Sequence, residues 1–401
     1  MHRLIRKSPS LIFVDNLGLQ FLRSCLPQIQ VFSQKFEFQQ SVHGSRFGSN
    51  VFDALNNSYL PLPASAFTRH HLHSKVASSL QQPFLLEAGY LSVGNHILVE
   101  RNPVNKDIPS LFRLKRRALP GLRFPCWPWS GEQKAWRQIP GGLRSSQTPK
   151  CLEVSGFVFT SFNNPNWYHW LTMPGLGSFP PAVEPNEIFL CDRDVFACKT
   201  YAPNLLARVA SLASALYPRS KISLEQGPLL IQELETCFIE NHTPLVCDPV
   251  GLNKLRIAAH SLIANFHHRS HSNLIYLRRG PNCRRPLLAE EKLENDLRKL
   301  GFTVIEAAEL QLDQCISIFA RARWVVAPHG AALANLIFAS PGTRVLELMP
   351  GSLDKYGHYA LMSAALDIQH NIWHRHGKSS DRFEIDQARM LAWLSAQISE
   401  Y

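Results

Sequence analysis

The stretch from Trp324 to Leu348 leaves the fewest folds open. Trp324-Val-Val-Ala-Pro328 reads as a buried strand and His329-Gly330 as a corner. A short apolar helix follows over Ala331 to Phe338, then a Pro341-Gly342 turn, then a second buried strand, Arg344 to Leu348, with Glu347 near its end. A strand-helix-strand unit returns the second strand parallel to the first, so a parallel sheet follows. Gly330, Ala331 and Ala332 keep bulky side chains off the first helical turn, where backbone N–H groups lack intrahelical partners. Such a turn suits a phosphate, but the helix dipole supplies only about 0.3 to 1 kcal/mol, or roughly 2 when partly buried. A diphosphate therefore needs further cations.

The same alternation runs through the C-terminal half. Spacing predicts helices at Leu252 to Phe266, Ala289 to Leu300 and Leu312 to Ala320, and strands at Asn273 to Leu277, Phe302 to Ile305 and Trp324 to Ala327. Short connections between alternating elements imply a mostly parallel sheet covered on both faces, which binds ligands at the carboxyl ends of its strands. His329, the residues after Leu277, and Glu347 all fall at that edge. A last amphipathic helix spans Glu384 to Ile398.

Upstream, Tyr90 to Val99 alternates around Gly94-Asn95 and predicts a hairpin, and residues 120 to 150, rich in Pro and Trp, read as an irregular loop. Val154 to Thr160 is strand-like and leads into Asn163-Asn-Pro-Asn-Trp-Tyr-His-Trp170, where Asn166 caps a helix ended by Pro174-Gly175. Glu187 to Cys191 reads as a strand and Pro203 to Leu216 as a helix. At 401 residues the chain exceeds one ordinary core. The expected division is an irregular extension at 1–55, an α/β domain at 56–250, a nucleotide-binding α/β domain at 251–376, and a closing helix at 377–401. The crossing between domains is placed around 241–255.

A formal charge of +11, from 42 basic and 31 acidic residues, favours acidic partners. No long basic block, zinc-finger spacing or RNA-recognition signature supports nucleic acid among them. Nine scattered cysteines without a Cys-x-x-Cys pair point to reduced thiols. The apolar run Leu11 to Leu22, broken by Asp15 and Asn16, is too short to span a bilayer and lacks a small-residue cleavage site. The expectation is a cytoplasmic protein with no transmembrane helix. Peripheral contact with the inner membrane face, through basic surface such as Arg113-Leu-Lys-Arg-Arg117, stays open.

Pro328-His-Gly-Ala331, Leu333, Asn335, Phe338, Pro341-Gly-Thr343 and Glu347 together resemble the signature of the family 61 glycosyltransferases. Ile275-Tyr-Leu-Arg-Arg279 is similar to that family's strand ending in Arg. Arg285 to Glu290 is similar to its Arg-x-x-x-Asn-Glu run, with Ala289 at the Asn position. Asn166-Trp-Tyr-His-Trp170 is similar to its Asn-Tyr-Tyr-His-Trp, without the acidic residue that usually follows. The likeness covers residues 150 to 350. It implies an α/β protein of two Rossmann-like domains (GT-B-like) with parallel sheets covered by helices on both faces. The implied activity is inverting transfer of a sugar from a nucleotide-sugar donor to a hydroxyl of a glycan or polysaccharide acceptor.

Within that reading Arg279, or Arg278 if the register differs by one, balances charge on the leaving diphosphate. His329 donates to a phosphate oxygen, Gly330 and Ala331 present backbone, and Glu347 accepts ribose hydroxyls. Asn335 bonds either the ligand or the neighbouring loop. His169 is the candidate base, since imidazole titrates near neutral pH. No cofactor is expected beyond the nucleotide-sugar co-substrate, and no metal is required. Two alternatives remain: a catalytically inactive nucleotide-binding or scaffold module, and a metal-dependent transferase using Asp192 and Asp194.

Overall fold

The computed structural model describes side chains chiefly at 50–65, 167–172, 184–190, 205–223, 247–264, 273–279, 286–374 and 382–399, with the backbone alone of further strands. Asn166, Asp194, Arg285 and the side chains of His169, Asp192 and Arg113 to Arg117 lie outside the described residues. Two compact units emerge, one from residues 1–43, 66–170 and 174–243, the other from 44–65, 171–173 and 244–401.

The second unit begins with a hairpin of β1 (Asn50–Asp53) and β2 (Ser58–Pro61). It continues with α1 (Pro249–Ser261), β3 (Leu274–Leu277), α2 (Glu290–Lys299), β4 (Thr303–Ile305), α3 (Leu312–Arg321) and β5 (Trp324–Pro328). A 3-10 helix (Ala331–Phe338), β6 (Arg344–Met349), α4 (Leu353–Tyr356), α5 (His358–Ala365), β7 (Gln369–His374) and α6 (Gln387–Ser399) complete it. The seven strands lie in the order β4-β3-β5-β6-β7-β1-β2, parallel throughout except for the β1–β2 hairpin. After β3 the chain moves outward to β4, then crosses back to β5 and winds the other way. The carboxyl ends of β3 and β5 therefore border the crevice where open α/β sheets take ligands.

Side-chain alternation loads both faces. Tyr276, Val326, Leu346, Leu348 and Trp373 share a buried cluster with Leu293 and Leu297 of α2 and Met390 and Leu394 of α6. Val51, Met349 and Ile372 cluster on the opposite face with Ala360 of α5 and Tyr356. The 3-10 helix keeps the span expected from sequence but winds tighter, with the Leu333 N–H on the Gly330 carbonyl at 2.9 Å. Helix α1 starts three residues before the expected Leu252. Asp248 accepts from the N–H groups of Val250 and Gly251 at 3.1 and 3.2 Å, and Pro249 occupies the first turn, where its missing N–H costs nothing.

The sheet of the first unit is mixed rather than parallel. Leu229–Asn241, Lys150–Ser161, Glu187–Asp192 and Lys221–Leu224 run parallel. Phe84–Glu87, Tyr90–Val93, His96–Val99 and Ser110–Leu114 extend the other side antiparallel. The hairpin expected around Gly94-Asn95 explains this, because a two-residue connection can only return a strand antiparallel. Within 120–150, read as irregular, Arg123–Pro125 pairs antiparallel with Trp136–Gln138. Among the described residues no helix is long and apolar enough to cross a membrane.

Candidate functional site

Strands β3 and β5 bring Arg279 and His329 to the same crevice. The Arg279 guanidinium donates to the His329 carbonyl and lies against Gly330. A Cβ placed on Gly330 would stand 2.8 Å from the Arg279 Cζ. Gly330 is extended, with φ 174°, so the corner needs glycine for this close approach and not for its backbone angles. Arg279 is held from behind as well. Its N–H donates to Glu290 Oε1 at 2.9 Å, and the Tyr276 hydroxyl donates to the same oxygen at 2.9 Å. Burial and the adjacent Glu290 keep the Tyr276 hydroxyl well above its ordinary pKa, so it stays a donor. Arg278 turns to α2 instead, pairing with Glu294 at 3.3 Å. Of the two arginines, Arg279 is the one at the corner.

Behind the corner lies a buried polar chain. Glu347 on β6 is fully enclosed, with Oε1 2.5 Å from His329 Nδ1 and Oε2 2.9 Å from His370 Nε2. His370 Nδ1 is in turn 2.8 Å from Ser363 Oγ on α5. The carboxylate sits between the two imidazoles at hydrogen-bond distance. Burial pushes the Glu347 carboxyl up, but hydrogen bonds and charge from His329 and His370 outweigh it and hold the pKa at about 2, against an ordinary 4.5. Both carboxylate oxygens are thus engaged by protein, and Glu347 braces His329 where sequence reasoning turned it toward ribose hydroxyls. The His329 ring packs among Tyr356, His358 and Tyr359, with centroids 4.8, 5.1 and 5.3 Å away.

Asn335, 1% exposed, donates to the Ala332 carbonyl at 2.9 Å and accepts from the Cys315 thiol at 3.3 Å. These two bonds tie it to its own 3-10 helix and to α3, where sequence reasoning offered the ligand or the neighbouring loop. The Pro341-Gly342 turn holds Gly342 at φ 82°, the left-handed region open to glycine, and its N–H reaches the Asp367 carbonyl at 2.8 Å. Ala289 also takes a left-handed angle, φ 55°, at the start of α2. Asn tolerates that region better than Ala, so the Asn of the motif has a conformational reason at this position.

Sequence reasoning placed Glu290 in a motif without giving it a role, and missed His370, Ser363 and the aromatic wall from Tyr356 to Tyr359. Residues 349–376 carried no assigned element, although Gln369-His-Asn-Ile-Trp-His374 forms a strand. The signal was an apolar pair, Ile372-Trp373, flanked by polar residues, a weak period beside the runs at 324–328 and 344–349.

A protein-family model described as Glycosyltransferase 61 matches residues 165–346. The match spans the motif helix, both arginines and the corner, and ends one residue before Glu347. A search of curated proteins returns no match.

Proposed function

With residues 165–346 belonging to glycosyltransferase family 61, we propose that the chain is an inverting glycosyltransferase that moves a sugar from a nucleotide-sugar donor to a glycan hydroxyl. The observation that carries this reading is the Arg279 guanidinium against Gly330 at the carboxyl ends of β3 and β5. A planar cation with fixed donors suits an anion in the crevice beside the 3-10 helix, and diphosphate is the anion that leaves in such a transfer. In this proposal Arg279, His329, Gly330 and Ala331 hold the donor diphosphate without a required metal. Glu347 and Asn335 keep the corner in shape. The remaining parts of the proposal are His169 as acceptor base, a two-Rossmann-domain arrangement and a cytoplasmic site of action.

The test is turnover on a panel of uridine, guanosine, cytidine and thymidine diphosphate sugars, with mixed glycan acceptors, in excess chelator. The expected result is transfer or slow donor hydrolysis from at least one donor, with inverted configuration at the anomeric carbon. Binding of a donor with no turnover on any acceptor would instead assign a nucleotide-binding module. Activity abolished by chelator would reinstate Asp192 and Asp194.

A further inference from the structure

The buried chain behind the corner extends past the segment that matches the family. Ser363 Oγ, His370, Glu347 and His329 are linked by contacts of 2.8, 2.9 and 2.5 Å. All four are nearly or fully enclosed. An ionised carboxylate has only acceptors, so the imidazole nitrogen facing each of its oxygens carries a proton. This assigns N–H to His329 Nδ1 and to His370 Nε2. In a neutral His370 ring, Nδ1 is then the acceptor and Ser363 Oγ–H the donor, which closes the chain at its far end.

We propose that His370 and Ser363 are positioning residues that clamp Glu347 and fix His329 in its Nδ1-protonated tautomer, leaving Nε2 as the atom where His329 takes up or releases a proton. The proposal deepens the glycosyltransferase reading and rests on it for the ligand: an Nε2–H formed there donates to a diphosphate oxygen, while the buried carboxylate balances the imidazolium. A carboxylate held at one oxygen alone can rotate. Held at both, it fixes the imidazole plane, the arrangement by which a second carboxylate oxygen or N–H sets the orientation of a working histidine. The titratable and charged groups around His329 are Glu347 on β6, His370 on β7, Tyr356 on α4, His358 and Tyr359 on α5, and Arg279 after β3. Among the described residues, Glu347 is an anion in direct contact with its ring.

The experiment is 15N NMR of the full chain labelled at histidine, in a pH series carried up to the plateau where the ring signals stop moving and the imidazoles are neutral. His329→Asn and His370→Gln assign the signals. His329 is expected to show a protonated Nδ1 and a bare Nε2, and His370 the reverse. Ser363→Ala shifts the His370 Nδ1 signal, and His370→Ala, which removes the contact to Glu347 Oε2, shifts or broadens the His329 Nδ1–H signal; an unmoved His329 in His370→Ala overturns the clamp. His370→Gln, whose amide N–H can replace the donor to Glu347, keeps the His329 signals of the wild type. A bare Nδ1 on His329, or a protonated Nδ1 on His370, overturns the relay whatever the enzyme does. The expected tautomers, with no response of His329 to saturating UDP, GDP, CDP or dTDP, uphold the relay and count against the diphosphate reading alone.

Discussion

The corner of the second unit and the motif helix of the first treat buried polar groups in opposite ways. At the corner, Glu347 has both oxygens bonded, and His329, His370, Ser363 and Asn335 are each tied to a named neighbour. In the first unit, the Arg208 guanidinium sits 4.5 Å from the ring of Trp167, yet among the described residues its Nε and Nη2 are enclosed without a hydrogen-bond partner, as is Trp170 Nε1. Polar groups that satisfy one another hold a site in shape without a ligand. Enclosed donors without acceptors cost stability. The corner is therefore preorganised, whereas Trp170 and Arg208 are enclosed at a polar penalty.

Replacing Glu347 breaks the contrast most strongly. Glu347→Ala strands two buried imidazole N–H groups, and removing one partner of a buried network costs about 3 to 5 kcal/mol. Denaturant unfolding should show that loss, while m stays constant. The same carboxylate sets an acid limit. Its folded pKa is depressed from 4.5 to about 2, so its contribution is present above pH 4.5 and is lost as pH falls toward 2. Unfolding followed across that window should show wild-type stability falling more steeply than that of Glu347→Ala. Parallel curves would mean that Glu347 is not the ionised bridge described above.

Arg208→Met sharpens the other side. Exchanging a buried guanidinium with two nitrogens unsatisfied among the described residues for an apolar chain of similar length should leave stability unchanged or raise it by about 1 to 4 kcal/mol, since well-packed hydrophobic replacements of buried charge behave this way. A loss of several kcal/mol would show that Arg208 has a strong partner. The smallest expected effect is at Ala289, where φ is 55°. Ala289→Asn relieves a left-handed alanine and should add about 1 kcal/mol, read as a small rise in Tm. No rise would mean that α2 and its Gln387 contact, 3.0 Å from the Ala289 carbonyl, already absorb the strain.

The same contrast governs what could be read before folding. Residues 324–348 were legible because a buried strand, a His-Gly corner, an apolar turn of helix and Pro341-Gly342 follow one another with no competing period, and β5, the 3-10 helix and β6 match that reading closely. Arg279 was legible as a strand-end cation, but not its selection over Arg278, which depends on Glu294 and Glu290 in a helix that follows. Strand β1 gave no signal because its four residues, Asn50-Val-Phe-Asp53, are too few to carry a period. Glu347 read as an acceptor for ribose hydroxyls because a carboxylate near a strand end is usually accessible. Only the two histidines, one of them in a strand with little apolar alternation, make its complete burial tolerable. The antiparallel half of the first sheet was announced at Gly94-Asn95 alone, since turn chemistry is local while strand order is not.

The central claim is that the corner at Arg279, His329 and Gly330 grips the diphosphate of an activated sugar. Calorimetric titration with UDP, GDP, CDP and dTDP tests it on wild type, Arg279→Ala and Lys299→Ala, the last an exposed lysine of α2 paired with Asp296 at 2.7 Å. At least one diphosphate should bind wild type and Lys299→Ala equally and bind Arg279→Ala about tenfold or more weakly, a difference of at least roughly 1.4 kcal/mol. Equal binding to Arg279→Ala, or none to wild type by any of the four, would contradict the account.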